Sequence, residues 1–150
     1  MLVWLLVGRE IEMSKFKFKI WDKTRNKWLF SNCGQFLLTQ DGNVMFHMDG
    51  DNPLEPIIDQ IEYEVLMYTG LKDKNGTEIY EGDILQFYND EDYIIKPGYA
   101  KVVFEDGAFC CKHFKYGTEY LANMDMSDMD ITVIGNIYEN PELLEGVDND

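Results

Sequence analysis

Over most of this chain apolar and polar positions alternate with the period of a β-strand. Lys15-Phe16-Lys17-Phe18-Lys19-Ile20 alternates strictly, which puts Phe16, Phe18 and Ile20 on one face and three lysines on the other. The polar stretch from Asp22 to Lys27 turns the chain back into Trp28-Leu29-Phe30, so Trp21 and Trp28 are expected to close a hairpin. Phe36 to Thr39 and Val44 to Met48 flank Asp41-Gly42-Asn43, a second hairpin, because Asp-Gly tolerates the positive φ of tight turns. Asp49 to Pro56 holds two prolines and reads as a polar loop dividing an N-terminal part, 13–52, from a C-terminal part, 53–145.

Beyond that loop, residues 57–61 predict a short helical turn, and Ile61, Tyr63, Val65 and Met67 alternate as a strand. Asn75-Gly76 and Glu81-Gly82-Asp83 mark turns, with Gly76 and Gly82 expected at positive φ and Asp83 expected to accept backbone N–H groups within its turn. Ile84 to Tyr88 follows as a strand. Tyr99 to Phe104 and Ala108 to Phe114 flank Glu105-Asp106-Gly107 as a third hairpin, and Ile131 to Ile137 is a further strand with a bulge near Gly135. Asn140-Pro141-Glu142-Leu143-Leu144-Glu145-Gly146 predicts one short helix capped by Asn140, leaving 146–150 as an acidic tail. Closely spaced strands and turns give a mainly β fold: antiparallel hairpins, a barrel-like (SH3-like) C-terminal part and a short C-terminal helix.

Charge divides the chain. It carries 13 basic and 28 acidic residues, a net −15. From Met13 to Phe30, however, Lys15, Lys17, Lys19, Lys23, Arg25 and Lys27 face only Asp22, a local +5, while residues 31–150 carry −19. A chain this acidic is a poor whole-surface binder of DNA or anionic membrane, and a basic arm on an acidic body favours head-to-body contacts within or between chains. Leu2 to Val7 is apolar but far short of the roughly 20 residues that span a bilayer. Residues 1–12 read as an extension upstream of a start at Met13, with an added edge strand as the alternative. Three cysteines, Cys33, Cys110 and Cys111, lack framework spacing, which suits a reducing cytoplasm.

The chain holds no phosphate-binding glycine loop, no nucleophile elbow and no Asp/Glu-x-Lys triplet. Cys111 and His113 share a strand face and would form half of a zinc site, without a second ligand pair to complete it. The acidic stretch His47 to Asp51, and Asp125, Asp128 and Asp130, do not match a calcium loop. No catalytic, metal or cofactor residues are therefore assigned. Met124, Met126 and Met129, interleaved with those aspartates, are a candidate adaptable contact surface.

Three ordered stretches carry a resemblance: YTGLKDKNG from Tyr68 to Gly76, IYEGDI from Ile79 to Ile84, and VIGNIYENPELL from Val133 to Leu144, preceded by KIWD from Lys19 to Asp22. In these the chain resembles the YopX family of phage and prophage proteins. The resemblance implies a β-rich phage-encoded protein with a barrel-like C-terminal part, open to oligomerisation, and brings no catalytic residues with it. With the charge asymmetry, the expectation is a non-catalytic interaction or assembly protein whose partner is itself, a phage protein or a host protein. Two alternatives are an acidic decoy imitating nucleic acid before a basic host protein, and weak single-stranded nucleic-acid binding by the interleaved lysines and aromatics of the arm.

Overall fold

A computed structural model describes residues 16–57, 61–88, 98–113 and 117–145. The helical turn expected at 57–61, the extension at 1–12, Lys15 and the tail at 146–150 fall wholly or mainly outside these residues.

The chain opens with a hairpin of β1 (Phe18–Asp22) and β2 (Lys27–Trp28), in which Trp21 pairs with Trp28 as expected. A second unit follows: β3 (Gly34–Leu38), β4 (Val44–Met48) and β5 (Leu54–Pro56), an antiparallel three-stranded sheet. The stretch read as a polar loop before Pro56 thus supplies a strand: Leu54 lies opposite His47 and Pro56 opposite Met45.

The long strand β6 (Tyr63–Lys72) pairs with β1 on one side and with β7 (Glu78–Tyr80) on the other, giving the order β2-β1-β6-β7. This sheet crosses from the N-terminal to the C-terminal part. Next come β8 (Asp83–Phe87), β9 (Gly98–Glu105), β10 (Ala108–His113) and β11 (Gly117–Tyr120), then a 3-10 turn at Leu121–Asn123 and β12 (Thr132–Asn136). They form a curled antiparallel half-barrel in the order β11-β10-β9-β8-β12. One short helix, α1 (Glu142–Glu145), closes the described chain. Among the described residues no helix is long and apolar enough to cross a membrane.

Two apolar cores result. Inside the half-barrel Ile79, Leu85, Leu121 and Ile131 are at most 1% exposed and pack with Ala100, Val102 and Cys111. Full burial of each large aliphatic side chain stabilises the fold by roughly 1.5–3 kcal/mol. The smaller core gathers Ile20, Val44 and Ile57 with Phe18, Phe36, Phe46, Tyr63 and Val65. β6 joins the two, since Tyr63 and Val65 pack on the smaller core and Leu71 on the larger.

Three details depart from expectation. Phe16 is 87% exposed instead of sharing the core with Phe18 and Ile20, because the β1–β6 ladder ends at Phe18 opposite Met67 and the last bond runs from Tyr68 N–H to the Lys17 carbonyl. β11 carries no apolar alternation, all four of its residues being exposed, so period-two reading misses it. Asn140 does not cap α1 with its side chain; its Oδ1 accepts the Asn136 N–H at 3.3 Å, upstream of the helix.

Candidate functional site

A densely hydrogen-bonded region is built from the turn motifs. Asp73, buried, accepts Asn75 N–H at 2.8 Å and Thr77 N–H at 2.9 Å on Oδ1, closing the Asn75-Gly76 turn. Its Oδ2 reaches across to accept Val133 N–H on β12 at 3.0 Å. Asp83 accepts Tyr80 N–H at 2.8 Å, and Gly76 and Gly82 take φ of 84° and 85°, as the sequence predicts. The Gly82 carbonyl accepts Ile137 N–H at 2.8 Å, bringing Tyr138 into a stack on Trp21 with ring centroids 5.4 Å apart. Gly135 leaves room for Asn140: a Cβ there would lie 2.4 Å from Asn140 Oδ1. The four motifs therefore meet in one polar frame that sets strand register. Their polar groups face one another, which is an architectural arrangement.

The basic arm is spent largely within the chain. Lys17 pairs with Glu78, Lys23 with Glu64, and Arg25 Nε lies 3.7 Å from the fully buried Asp22. Lys19 sits 4.3 Å over the Tyr80 ring and 5.6 Å over Trp28. Trp28 Nε1 donates to Glu139. Lys27 is exposed at the end of the hairpin. Two shallow grooves adjoin the arm: one of about 290 Å³ between Trp28, Phe36 and Phe46, the other of about 620 Å³ beside Phe16, Lys19 and Phe30.

The candidate methionines Met124, Met126 and Met129 are partly buried and pack on the half-barrel core. Asp125 Oδ1 accepts Ser127 N–H at 3.0 Å and Asp128 N–H at 2.9 Å, so it shapes its own turn. Asp130 pairs with Lys74, and Asp125 and Asp128 are exposed. Cys110, Cys111 and His113 are all buried. Burial pushes the Cys111 thiol up to about 12, so it stays protonated, and His113 lies edge-on to Phe87 at 5.6 Å. Among the described residues no three His, Cys, Asp or Glu side chains gather as a metal set.

The feature that sequence reasoning missed is the rim of the three-stranded sheet. Edge strands invite pairing with other chains, and folded proteins blunt them with charge, proline, bulges or side-chain caps. The other edges here follow that rule. β7 has Tyr80 N–H taken by Asp83, and β12 is bulged, with Val133 and Asn136 N–H groups taken by Asp73 and Asn140. β5 carries Glu55 and Pro56, β11 carries Glu119, and β2 is two residues long with Lys27. β3, Gly-Gln-Phe-Leu-Leu, has none of these devices.

The bonds from Thr39 N–H to the Asn43 carbonyl and from Asp49 N–H to the Cys33 carbonyl fix its phase. Odd-numbered residues bond to β4, so Gly34, Phe36 and Leu38 direct their N–H and C=O groups outward. One face of this sheet, with Phe36, Leu38, Val44 and Phe46, packs on the smaller core. The register places Leu37, Met45, His47, Leu54 and Pro56 together on the opposite face, where Leu54 is 52% exposed. The available signal was a run from Trp28 to Gln40 without one charged residue, in a chain that is 27% charged.

The family profile described as YopX protein matches residues 17–145, and so takes in all four motifs of the frame. The chain belongs to the YopX family. Among its relatives is the SPbeta prophage-derived uncharacterized protein YopX of Bacillus subtilis strain 168, 26% identical over 132 residues, which cover 87% of this chain and 96% of the relative. Two solved structures share the fold of this YopX-family chain. Protein EF1440 from Enterococcus faecalis has a TM-score of 0.54 at 27% identity, covering 86% of this chain and 97% of its own; protein yopX from Bacillus subtilis has a TM-score of 0.60 at 23% identity, covering 90% and 99%. The Bacillus subtilis relative is a prophage-derived, uncharacterized protein, so any functional reading rests on the geometry.

Proposed function

We propose that this YopX-family chain is a non-catalytic, phage-encoded interaction or assembly protein that acts inside the bacterial host, and that its contact surface is the β3 rim with the outer face of the β3-β4-β5 sheet. The observation that carries this reading is the contrast between β3 and every other described edge: five are capped, bulged, charged or shortened, whereas β3 carries no charge and, among the described residues, no strand or side chain takes its outward groups. Backbone groups at such a rim add a strand from a partner, and the adjacent apolar face supplies area.

The charge distribution supports a protein partner over nucleic acid. Lys17, Lys23 and Arg25 already have carboxylate partners, so the arm offers few cations to phosphates in a chain of net −15. Glu64, Glu78, Glu105 and Asp130 are likewise engaged by lysines, which weighs against a surface arranged in rows of free carboxylates.

Cys33 provides the test. It is exposed and immediately precedes β3, whereas Cys110 and Cys111 are buried. A thiol-linked photo-crosslinker placed on Cys33 should capture a protein in cells carrying the phage, and a charged substitution on the strand, Gln35→Lys with Leu37→Lys, should abolish the capture. Equal capture by both forms would contradict the assignment of this surface.

A further inference from the structure

We infer that the strand added to β3 is β3 of a second copy of this chain, so that two three-stranded sheets join into one six-stranded antiparallel sheet about a twofold axis at Phe36. This rests on the reading of β3 as the contact rim, and names its occupant.

The outward groups belong to Gly34, Phe36 and Leu38. An antiparallel pairing that uses all of them places Phe36 opposite Phe36, and Gly34 of each copy opposite Leu38 of the other. Gln35 then faces Leu37, and Cys33 faces Thr39. Every one of these pairs is uncharged, and twofold symmetry makes each contact occur twice, as isologous dimers require.

Charge argues for this occupant in particular. Two chains of net −15 repel wherever their acidic surfaces meet. The stretch from Trp28 to Gln40 carries no charge; Lys27 precedes it and Asp41 follows it, and the register sets Asp41 of each copy opposite the neutral Ser31 of the other, so this is where two copies approach without opposing carboxylates. A basic partner would instead be drawn to the acidic body and gain nothing from a neutral rim. In such a sheet Leu37 of each copy lies beside Gln35 of the other on the outer face, while Met45 and Leu54, on the strands behind the rim, stay on the open face.

The test is sedimentation velocity of the full chain over a hundredfold concentration range. Wild type should sediment as a dimer of the 17.6 kDa chain, and raising the salt should tighten it, because screening weakens the mutual repulsion. Gln35→Lys with Leu37→Lys sets lysines opposite one another across the axis and should raise the dissociation constant at least tenfold; circular dichroism checks that the variant is folded. Should the double variant fail to fold, Gln35→Lys alone, at an exposed position, gives the same comparison. Thr39→Cys should form an intermolecular disulfide with Cys33 under mild oxidation. A wild-type monomer throughout, or a dimer indifferent to the substitutions, would overturn self-pairing. Continued Cys33 capture of another protein by such a monomer would leave the contact rim standing.

Discussion

Asp73 Oδ2 accepts the N–H of Val133 at 3.0 Å, sixty residues downstream, while the other oxygen of the same carboxylate closes the turn at Asn75 and Thr77. One buried side chain thus joins the β6–β7 hairpin to the last strand of the half-barrel. Hydrogen bonds to a charged acceptor contribute about 1.5–3 kcal/mol each, and leaving the donors bare adds desolvation cost. Asp73→Ala should therefore destabilise the fold by roughly 4 kcal/mol or more in urea titration, and Asp73→Asn by less, since one oxygen remains.

Gly135 and Asn140 form a second long-lever contact. A Cβ at 135 would lie 2.4 Å from Asn140 Oδ1 and 2.8 Å from its Cγ, so the amide would have to swing away from the Asn136 N–H. Gly135→Ala should cost about 1–2 kcal/mol. In a double-mutant cycle with Asn140→Ala the double variant should lose less than the sum of the two single losses, because both remove the same bond.

Asp83 makes stability depend on pH. Burial raises its carboxyl from the ordinary 3.8 to about 6, against the opposing pull of Tyr80 N–H and Lys19. The folded state binds this proton more tightly than the unfolded one. Its contribution is therefore fully present below pH 3.8 and is lost as pH rises to about 6, over a span of roughly 3 kcal/mol. Asp83→Asn removes that slope. Denaturant titrations at pH 4, 5, 6 and 7 should show the variant gaining on wild type with each step, the gain shrinking sharply between pH 6 and 7.

Much of the scaffold is legible in the residues themselves. Asp41-Gly42, Asn75-Gly76 and Asp106-Gly107 are local devices whose chemistry fixes a turn without help from the rest of the chain, and each stands where it was expected. Phe16 and β11 mislead for a shared reason: alternation reports side-chain chemistry, whereas where a ladder stops depends on the partner strand. The basic arm was legible as a charge excess. That Glu64 and Glu78 would neutralise Lys23 and Lys17 was not, because the ion pairs join segments 41 and 61 residues apart. For the rim of β3 the sequence offers the uncharged run from Trp28 to Gln40, but that this run forms a sheet edge is visible only once the strand order is known.

The arm supplies a prediction about nucleic acid. With Lys17 and Lys23 paired and Lys19 resting on aromatic rings, a labelled oligothymidylate should show no anisotropy change at physiological ionic strength. Binding that disappears when Lys17 and Lys19 are both replaced would restore the arm as a nucleic-acid site, with Phe16 and Phe30, 87% and 81% exposed, as its stacking surfaces.

The central claim, that the outward rim of β3 is covered by a strand from another molecule, is tested most directly by residue-resolved amide hydrogen exchange at high protein concentration. Gln35 and Leu37 should be protected by their bonds to β4 in any case. Gly34, Phe36 and Leu38 should be protected alongside them, and this protection alone should disappear on dilution or in the Gln35→Lys, Leu37→Lys variant. Free exchange at those three amides in concentrated wild-type protein, beside protected neighbours, would contradict it.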